Sequence, residues 1–340
     1  MSGSSYVLEP DARPGPLAAG ISVLRRHPLA ALGSLIVLIA IWLGIREGWH
    51  ELAQATLNGI VAGNYFALGA VGLTLIFGVL RLVNFAHGEF LTFGAYMLVA
   101  ANALDLPLVI SAVVGVIATA GLALSLEVAL WRPVRRKGSG DLQLLLLALG
   151  LAYVIRYTIA FVAGPEDRAT GADVTAGVTI LGLRIGRTEL IVTLVGLAAI
   201  ALVALGLRYT SLGRQVRALS DSIELSETTG IDTDRIVLVT WAISGGLGGL
   251  AGIIYALPAG TVNPQLGFTL ILSIFAAVVV GGIGNAYGAL AGGILIGVAQ
   301  EWSTLVIDPS MKVAVGFAVL ILVLLVRPQG LFGRPRSVDR

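Results

Sequence analysis

The sequence predicts an all-α protein that crosses a membrane many times, with about ten transmembrane helices. Three observations carry that reading. Of 340 residues, 56% are hydrophobic and only 12% are charged. The mean hydropathy is +0.92. The apolar residues gather into ten runs separated by short polar stretches in which arginine is frequent. A soluble domain is about 25% charged, and one soluble core cannot hide so much apolar surface, so the bilayer is the solvent. Cysteine is absent, which excludes disulfides and thiolate chemistry, and a net charge of +2 gives no reason to expect nucleic acid.

The elements follow in chain order. Residues Met1–Pro28 are polar, with prolines at Pro10, Pro14 and Pro16. The first apolar run is followed by Arg46 and Glu47 and not by a small-residue cleavage pattern, so 1–28 reads as a cytoplasmic tail. Spanning the hydrocarbon takes about 20 mostly apolar residues, and the candidate spans are 29–45, 57–80, 85–104, 107–130, 142–163, 189–207, 236–257, 267–283, 287–307 and 312–326. The third contains His87 and Glu89, and the last is short. The transmembrane domain is thus 29–326, and 327–340 forms a second tail.

Charge placement tests this count. With the first tail inside and all ten runs spanning, sixteen of the 22 lysines and arginines fall inside. Five fall outside (Arg46, Arg168, Arg184, Arg187 and Lys312), and Arg156 lies within a span. Cytoplasmic loops carry the excess of Lys and Arg, so both termini read as cytoplasmic and the protein as a multi-pass protein of the cell (plasma or inner) membrane. Glu127, Arg156 and Glu301 stand in apolar runs about two turns from a membrane face, where a long side chain can snorkel.

Two loops are long enough for structure of their own. The outer one, 164–188, is rich in Gly, Thr and Asp. In the inner one, 208–235, Val216, Leu219 and Ile223 recur at helical spacing, with Asp221, Glu224 and Glu227 on other faces and Gly230 as a stop. A short amphipathic helix of this kind either meets a protein partner or lies on the membrane surface. Glycine is abundant, at 44 residues. The run Gly245–Gly252 resembles a dinucleotide fingerprint but sits inside an apolar segment, where close helix packing is the reading to prefer. Gly281, Gly282, Gly284 and Gly288 suggest a broken or re-entrant segment, whose irregular backbone lines a cavity or packs against protein.

Arg81–Phe90 is the most unusual stretch, because Asn84, His87 and Glu89 stand between two apolar runs. Ionisable groups at membrane depth are costly and face a cavity or a partner. They can line a solute path, relay protons, or hold a helix break by interhelical hydrogen bonds. The other histidines, His27 and His50, lie in different segments, so no metal-ligand set assembles. Asn58, Asn64, Tyr65, Asn263 and Asn285 are further polar points near segment ends, and Asn263-Pro264 reads most simply as a turn. Of the two lysines, Lys137 precedes Gly138 and Lys312 precedes Val313, so neither closes a GK[ST] phosphate loop.

Several stretches together resemble one family. Gly72–Gly78 followed by Val83–Glu89 is similar to the first signature of the permease subunits of branched-chain amino acid ABC importers, of the LivH type in the LivH/LivM pair. In the family's order follow Trp131–Arg135, Leu212–Ala218 with Gly230–Arg235, Val262-Asn263-Pro264 with Gly267-Phe268, Val280–Asn285, and Arg327–Pro335. The resemblance covers Glu51 to Pro335 and implies a type II ABC importer-like permease with broken or re-entrant segments. It implies a second, LivM-like permease, two ATPase subunits that use the ATP, an extracytoplasmic binding protein, and no cofactor in this chain. It makes 208–235 the ATPase coupling loop, with Gly213, Arg214, Val216, Arg217, Leu219, Ile223, Glu224 and Gly230 as its contact residues. Asn64, Tyr65, Asn84, His87, Glu89, Asn263 and Asn285 become the expected substrate path. The function implied is half of the translocation path for branched-chain or related small amino acids. A stand-alone channel or proton-coupled carrier, with His87 and Glu89 titrating, is the alternative.

Overall fold

The computed structural model describes residues 28–333, so nearly all of the predicted tail 1–28, and residues 334–340, lie outside the described residues. The helices are α1 (Pro28–Arg46), α2 (Trp49–Leu80), α3 (His87–Asn102), α4 (Leu108–Arg136), α5 (Asp141–Ala163), α6 (Arg187–Tyr209), α7 (Ser211–Asp221), α8 (Ile223–Thr228), α9 (Thr233–Ala259), α10 (Leu266–Gly281), α11 (Ala286–Ser303) and α12 (Lys312–Val326). All ten apolar runs are helical. Among the described residues, seven helices are long and apolar enough to cross a membrane (α1, α2, α4, α5, α6, α9 and the 18-residue stretch that ends with α12), whereas α10 is a shorter apolar helix. The run expected at 85–104 is the 16-residue α3, which starts only at His87. The second run starts well before residue 57, at Trp49, and only Glu47 and Gly48 (φ 103°) separate it from α1. Four short strands complete the chain: β1 (Arg168–Ala169), β2 (Gly177–Ile180), β3 (Leu183–Gly186) and β4 (Thr261–Val262). β2 and β3 form a hairpin in the outer loop, and β1 pairs antiparallel with β4.

The bundle has a buried centre and an apolar rim. In α2, 78% of the most apolar window is buried, against 22% in each of α4, α5 and α6. α2 packs along α9 and α11, with α3 and α10 between them. The outer helices expose Val37, Leu38, Val113, Ile117, Val154 and Leu202, as expected where lipid tails replace water. Small residues let the central backbones approach. A Cβ on Gly63 would lie 2.7 Å from Ile294 Cα, and one on Gly252 or Gly297 would strike a neighbouring backbone. The Gly245–Gly252 run is therefore a packing surface for α3 and α4.

Helix α4 is continuous but carries one π turn, Glu127–Trp131. The extra residue turns Trp131 into the core, where its ring stacks on Trp241 at 6.0 Å. It also aligns Arg135 two turns above Glu127, and the pair is bidentate. Glu301 likewise binds Lys312, and Arg156 binds Glu89. The expectation that Glu127, Arg156 and Glu301 snorkel is thus corrected for the first two, whose charges are neutralised in the interior by Arg135 and Glu89, whereas Glu301 pairs with the partly exposed Lys312.

The two halves of the bundle repeat one design. Placing Leu80, the end of α2, on Ala259, the end of α9, also places Arg81 on Gly260, Asn84 on Asn263, His87 on Leu266, Gly88 on Gly267 and Asn102 on Gly281, with no gap. Both long helices end in a left-handed residue, Arg81 (φ 52°) and Gly260 (φ 74°), and both are followed by Val-Asn-x-x-x-Gly. The halves run in opposite senses, since Tyr65 meets Tyr255 while Gly72 meets Ser244. The equivalent residues Gly88 and Gly267 touch each other. A Cβ on Gly88 would lie 2.8 Å from the Gly267 carbonyl oxygen, and one on Gly267 would collide with the Gly88 carbonyl. Two residues in equivalent positions can meet only on the pseudo-twofold axis, so α3 and α10 both begin at mid-depth and diverge to opposite ends of the bundle. Gly267→Ala puts a methyl group against backbone that cannot move and should cost about 1–3 kcal/mol by overpacking. Gly121→Ala on α4, where nothing lies within 4 Å, is the control. Unfolding in detergent followed by tryptophan fluorescence should show a lower midpoint for the first variant and an unchanged or raised one for the second.

Candidate functional site

The polar centre is built where the chain leaves α2 and re-enters as α3. The first amides of α3 close tight turns, with His87 N, Gly88 N and Glu89 N donating to the carbonyls of Asn84, Phe85 and Ala86. At the equivalent start of α10 the Asn263 carbonyl accepts from Leu266 N, and Gly267 N donates to Thr92 Oγ1 of α3 at 2.9 Å. One helix thus caps the other across the axis.

His87 is fully buried, with Nε2 3.1 Å from the Gly69 carbonyl oxygen and its ring against Gly72 and Gly248. From it an aromatic series runs through Phe90 and Trp241 to Trp131. Asn84 is equally buried, and neither end of its amide has a partner among the described residues. Glu89 is 1% exposed and its Oε1 accepts from both Nε (3.1 Å) and Nη2 of Arg156. The Arg156 guanidinium lies over Phe268 (4.4 Å) and beside Tyr153 (5.3 Å). Phe268 is the repeat equivalent of Glu89, so Arg156 touches both halves beside the axis.

The other residues expected on the path stand elsewhere. Asn64 is buried between helices and donates to the Thr193 carbonyl of α6 at 3.2 Å, which is a packing role. Tyr65 packs its ring edge-on against Tyr255 at 5.2 Å. Asn263 makes an Asx turn to Gln265 N at 3.1 Å. Asn285 caps α11, accepting from Tyr287 N and Gly288 N, and donates to the Phe332 carbonyl at 3.1 Å. The seven residues do not form one lining: Asn84, His87 and Glu89 gather at the axis, and the rest serve separate joints. Among the described residues no group of three or more His, Asp or Glu side chains is placed to share a metal ion.

At one end of the bundle a cavity of about 780 Å³ opens among Arg81, Arg208, Arg217, Asp221, Asn285 and Tyr287. Its floor is the glycine break between α10 and α11. Gly282 (φ 105°) and Gly284 (φ 85°) adopt backbone angles that favour glycine, and Gly281 and Gly288 sit backbone to backbone. Residues after α12 fold back onto this break, where Leu331 N and Phe332 N donate to the Val280 and Gly281 carbonyls at 2.8 and 3.0 Å. The predicted tail 327–340 is therefore docked over its first residues.

The inner loop holds two helices, separated at Ser222, which caps the second through Leu225 N. Of the stripe expected to face a partner, only Ile223 faces outward. Val216 and Leu219 are 8% and 2% exposed and pack on Ile76, Val79, Ile236 and Trp241 of the chain's own core. Gly213 lies against the Leu207 carbonyl, to which Arg217 Nη1 also donates. What faces outward is Arg214, Ile223 (41%), Glu224, Leu225 (66%) and Glu227, with Gly230 (φ 80°) turning the chain back. Leu225 was not singled out from the sequence, because it lies off the helical stripe that marks α7. Nearby, Asp234 binds Arg132 and Arg136 and ties the start of α9 to the end of α4.

Comparison with known proteins places this geometry among relatives. The family described as branched-chain amino acid transport system / permease component matches residues 55–324. The chain is 32% identical over 303 residues to the high-affinity branched-chain amino acid transport system permease protein LivH of Salmonella typhimurium, covering 85% of this chain and 98% of that one. It is 31% identical over 303 residues to BraD of Pseudomonas aeruginosa, with the same coverage. It is 26% identical over 366 residues to LivM of Escherichia coli, covering 99% of this chain and 80% of that one.

The tail clamp gives a local test. Asn285→Ala removes a helix cap worth about 1 kcal/mol and the link to Phe332. Amide hydrogen exchange at Leu331 and Phe332 should then accelerate about fivefold or more, with the central helices unchanged. Unaltered exchange at these two amides would show that the clamp does not hold the tail.

Proposed function

The chain belongs to the branched-chain amino acid transport system permease family, and from that premise we infer that it is the transmembrane permease subunit of an ATP-driven importer for branched-chain or related small amino acids. The observation that carries this reading is the match over 55–324, which spans both halves of the repeat and their breaks. The chain is a multi-pass membrane protein and forms half of the path. The other half comes from a homologous permease, in keeping with its likeness to both LivH and LivM proteins.

The finer reading has ten spans in a type II importer-like arrangement, with 1–28 and 327–340 as cytoplasmic tails. α3 and α10, each 16 residues, and α11 complete the count, and the start of α3 and both ends of α10 are buried in protein, as irregular backbone at membrane depth requires. The 16-to-5 charge split supports cytoplasmic termini. It also puts the 780 Å³ cavity, α7 and α8 on the ATP side. ATP is hydrolysed by two partner ATPase subunits, and solute is delivered by an extracytoplasmic binding protein. The path passes the axis beside Glu89, with His87 and Asn84 shaping its wall from behind.

Coupling runs through α8 rather than through the stripe on α7. Ile223 and Leu225 are apolar side chains exposed beside Glu224 and Glu227, a short motif that fits an apolar cleft with a basic rim. α7 carries the displacement inward, since Leu219 is packed in the core. In proteoliposomes holding this chain, its sister permease, the ATPases and the binding protein, leucine uptake should require ATP. Ile223→Asp with Leu225→Asp should lower uptake at least tenfold and release the ATPase, while the permease pair stays folded. Leu219→Asp should instead prevent folding, because it buries an unpaired charge. A cysteine at Leu225 should react with an impermeant maleimide only from the ATP side. Normal uptake by the Ile223/Leu225 double variant, or labelling from the opposite side, would overturn the coupling assignment.

A further inference from the structure

Among the described residues, two ion pairs hold a carboxylate that is only 1% exposed, and they differ in a way that points to a ligand. Glu127 and Arg135 form a closed fork, with Nη1 on Oε2 at 2.9 Å and Nη2 on Oε1. This geometry satisfies both carboxylate oxygens and is how a purely structural pair is best made. Glu89 and Arg156 are packed as deeply, with side chains 1% and 8% exposed, yet both bonds converge on one oxygen, Oε1. Among the described residues Glu89 Oε2 is buried and accepts no hydrogen bond, and Arg156 bonds through Nε and Nη2, leaving Nη1 out of the pair. A buried acceptor and a guanidinium nitrogen outside the pair are thus left side by side. Leaving a buried acceptor unmatched is costly in a low-dielectric interior.

The aromatic residues beside the pair are partly exposed. Tyr153 and Phe268 lie against the Arg156 guanidinium and are 50% and 47% exposed, and Tyr157, one turn on from Tyr153, is 63% exposed. Tyr153 and Tyr157 stack at 6.2 Å, and Tyr153 lies mid-way along α5. A phenol facing lipid tails at that depth has no hydrogen-bond partner, and tyrosines that meet lipid gather at the interfaces instead. The phenols of Tyr153 and Tyr157 thus give this exposed face of α5 polar groups of its own, next to the pair. That face also stands beside the pseudo-twofold axis, where residues 89 and 268, equivalent in the two halves, both touch Arg156.

Building on the importer reading, we propose that Glu89 and Arg156 are the binding pair for a zwitterionic α-amino acid on the path. The solute carboxylate is taken by Arg156 Nη1, which lies outside the pair, and the ammonium by Glu89 Oε2, while the apolar side chain rests on Phe268 and Tyr153. A neutral pair receives a neutral zwitterion, so no uncompensated charge is created in the middle of the bilayer at any stage. The same pairing discriminates against solutes that carry only one of the two charges, because one member of the pair would then remain unmatched. Arg156 is the residue that sequence reading left aside.

The test uses the complete transporter in proteoliposomes, with radiolabelled leucine and the binding protein in excess. Glu89→Gln with Arg156→Met replaces the ion pair by neutral groups of similar volume, which a purely structural pair tolerates. This double variant should co-purify with its partners and unfold at a temperature close to that of the wild type, yet take up leucine at least 100-fold more slowly. Tyr153→Phe and Phe268→Leu keep the fold and should raise the leucine concentration for half-maximal uptake severalfold. Wild-type uptake by the neutral pair would overturn the proposal and make the pair structural. Loss of assembly by the neutral pair, with no change in half-maximal concentration in either aromatic variant, would overturn it as well. A wild-type complex that moves no leucine would instead defeat the importer reading on which the proposal stands.

Discussion

No water reaches the middle of a bilayer, so a helix that starts there must find partners for its first amides inside the protein. Two helices of this chain start inside the bundle, at His87 and Leu266, and they answer the demand together. The close approach of Gly88 and Gly267 brings Thr92 Oγ1 to Gly267 N, and tight turns back to the carbonyls of Asn84, Phe85, Ala86 and Asn263 take His87 N, Gly88 N, Glu89 N and Leu266 N. Any side chain larger than hydrogen at the crossing would part the helices and expose both breaks. The long helices α2 and α9 flank this crossing, and the outer helices form the lipid-facing rim.

Much else follows from the crossing. Because α3 begins at mid-depth, its first turn can carry His87 and Glu89 into the centre without passing them through lipid. Because α10 begins opposite, Phe268 can face the same arginine as Glu89. At one end, the cavity floor is made by the break after α10, its wall by the end of α2, and its rim by α7 and the folded-back tail. α7 is packed on elements that lead directly to the axis: Val216 and Leu219 belong to the cluster that contains Ile76, Phe90 and Trp241, and Phe90 lies against His87.

The apolar runs were legible because a bilayer imposes length and composition on every helix that crosses it, and the glycine break at 281–288 was legible because backbone at membrane depth needs a reason. The inverted repeat was in the sequence too, as Val-Asn-x-x-x-Gly at 83–88 and again at 262–267, but two short matches mean little until their helices are seen to end and begin in register. The direction of the α7 stripe was not legible. Periodicity tells that Val216 and Leu219 share a face, not whether that face meets a partner or the chain's own core. Arg156 was misjudged for a related reason: distance from a membrane face along one helix says nothing about a carboxylate arriving from another. The π turn in α4, which brings Glu127 under Arg135, likewise arises from tertiary packing around Trp131 and leaves no sequence period.

The central claim is that two half-depth helices meet at a glycine crossing in the middle of the membrane. The most direct measurement is an experimental map of the assembled permease pair in a lipid nanodisc, with the depth of Gly88 and Gly267 read against the lipid belt. The account predicts both glycines within about one helical turn, ~5 Å, of the belt's mid-plane, with α3 and α10 leaving toward opposite faces. A map in which either glycine lies at the headgroup level, or in which α3 or α10 runs unbroken from one face to the other, would contradict it.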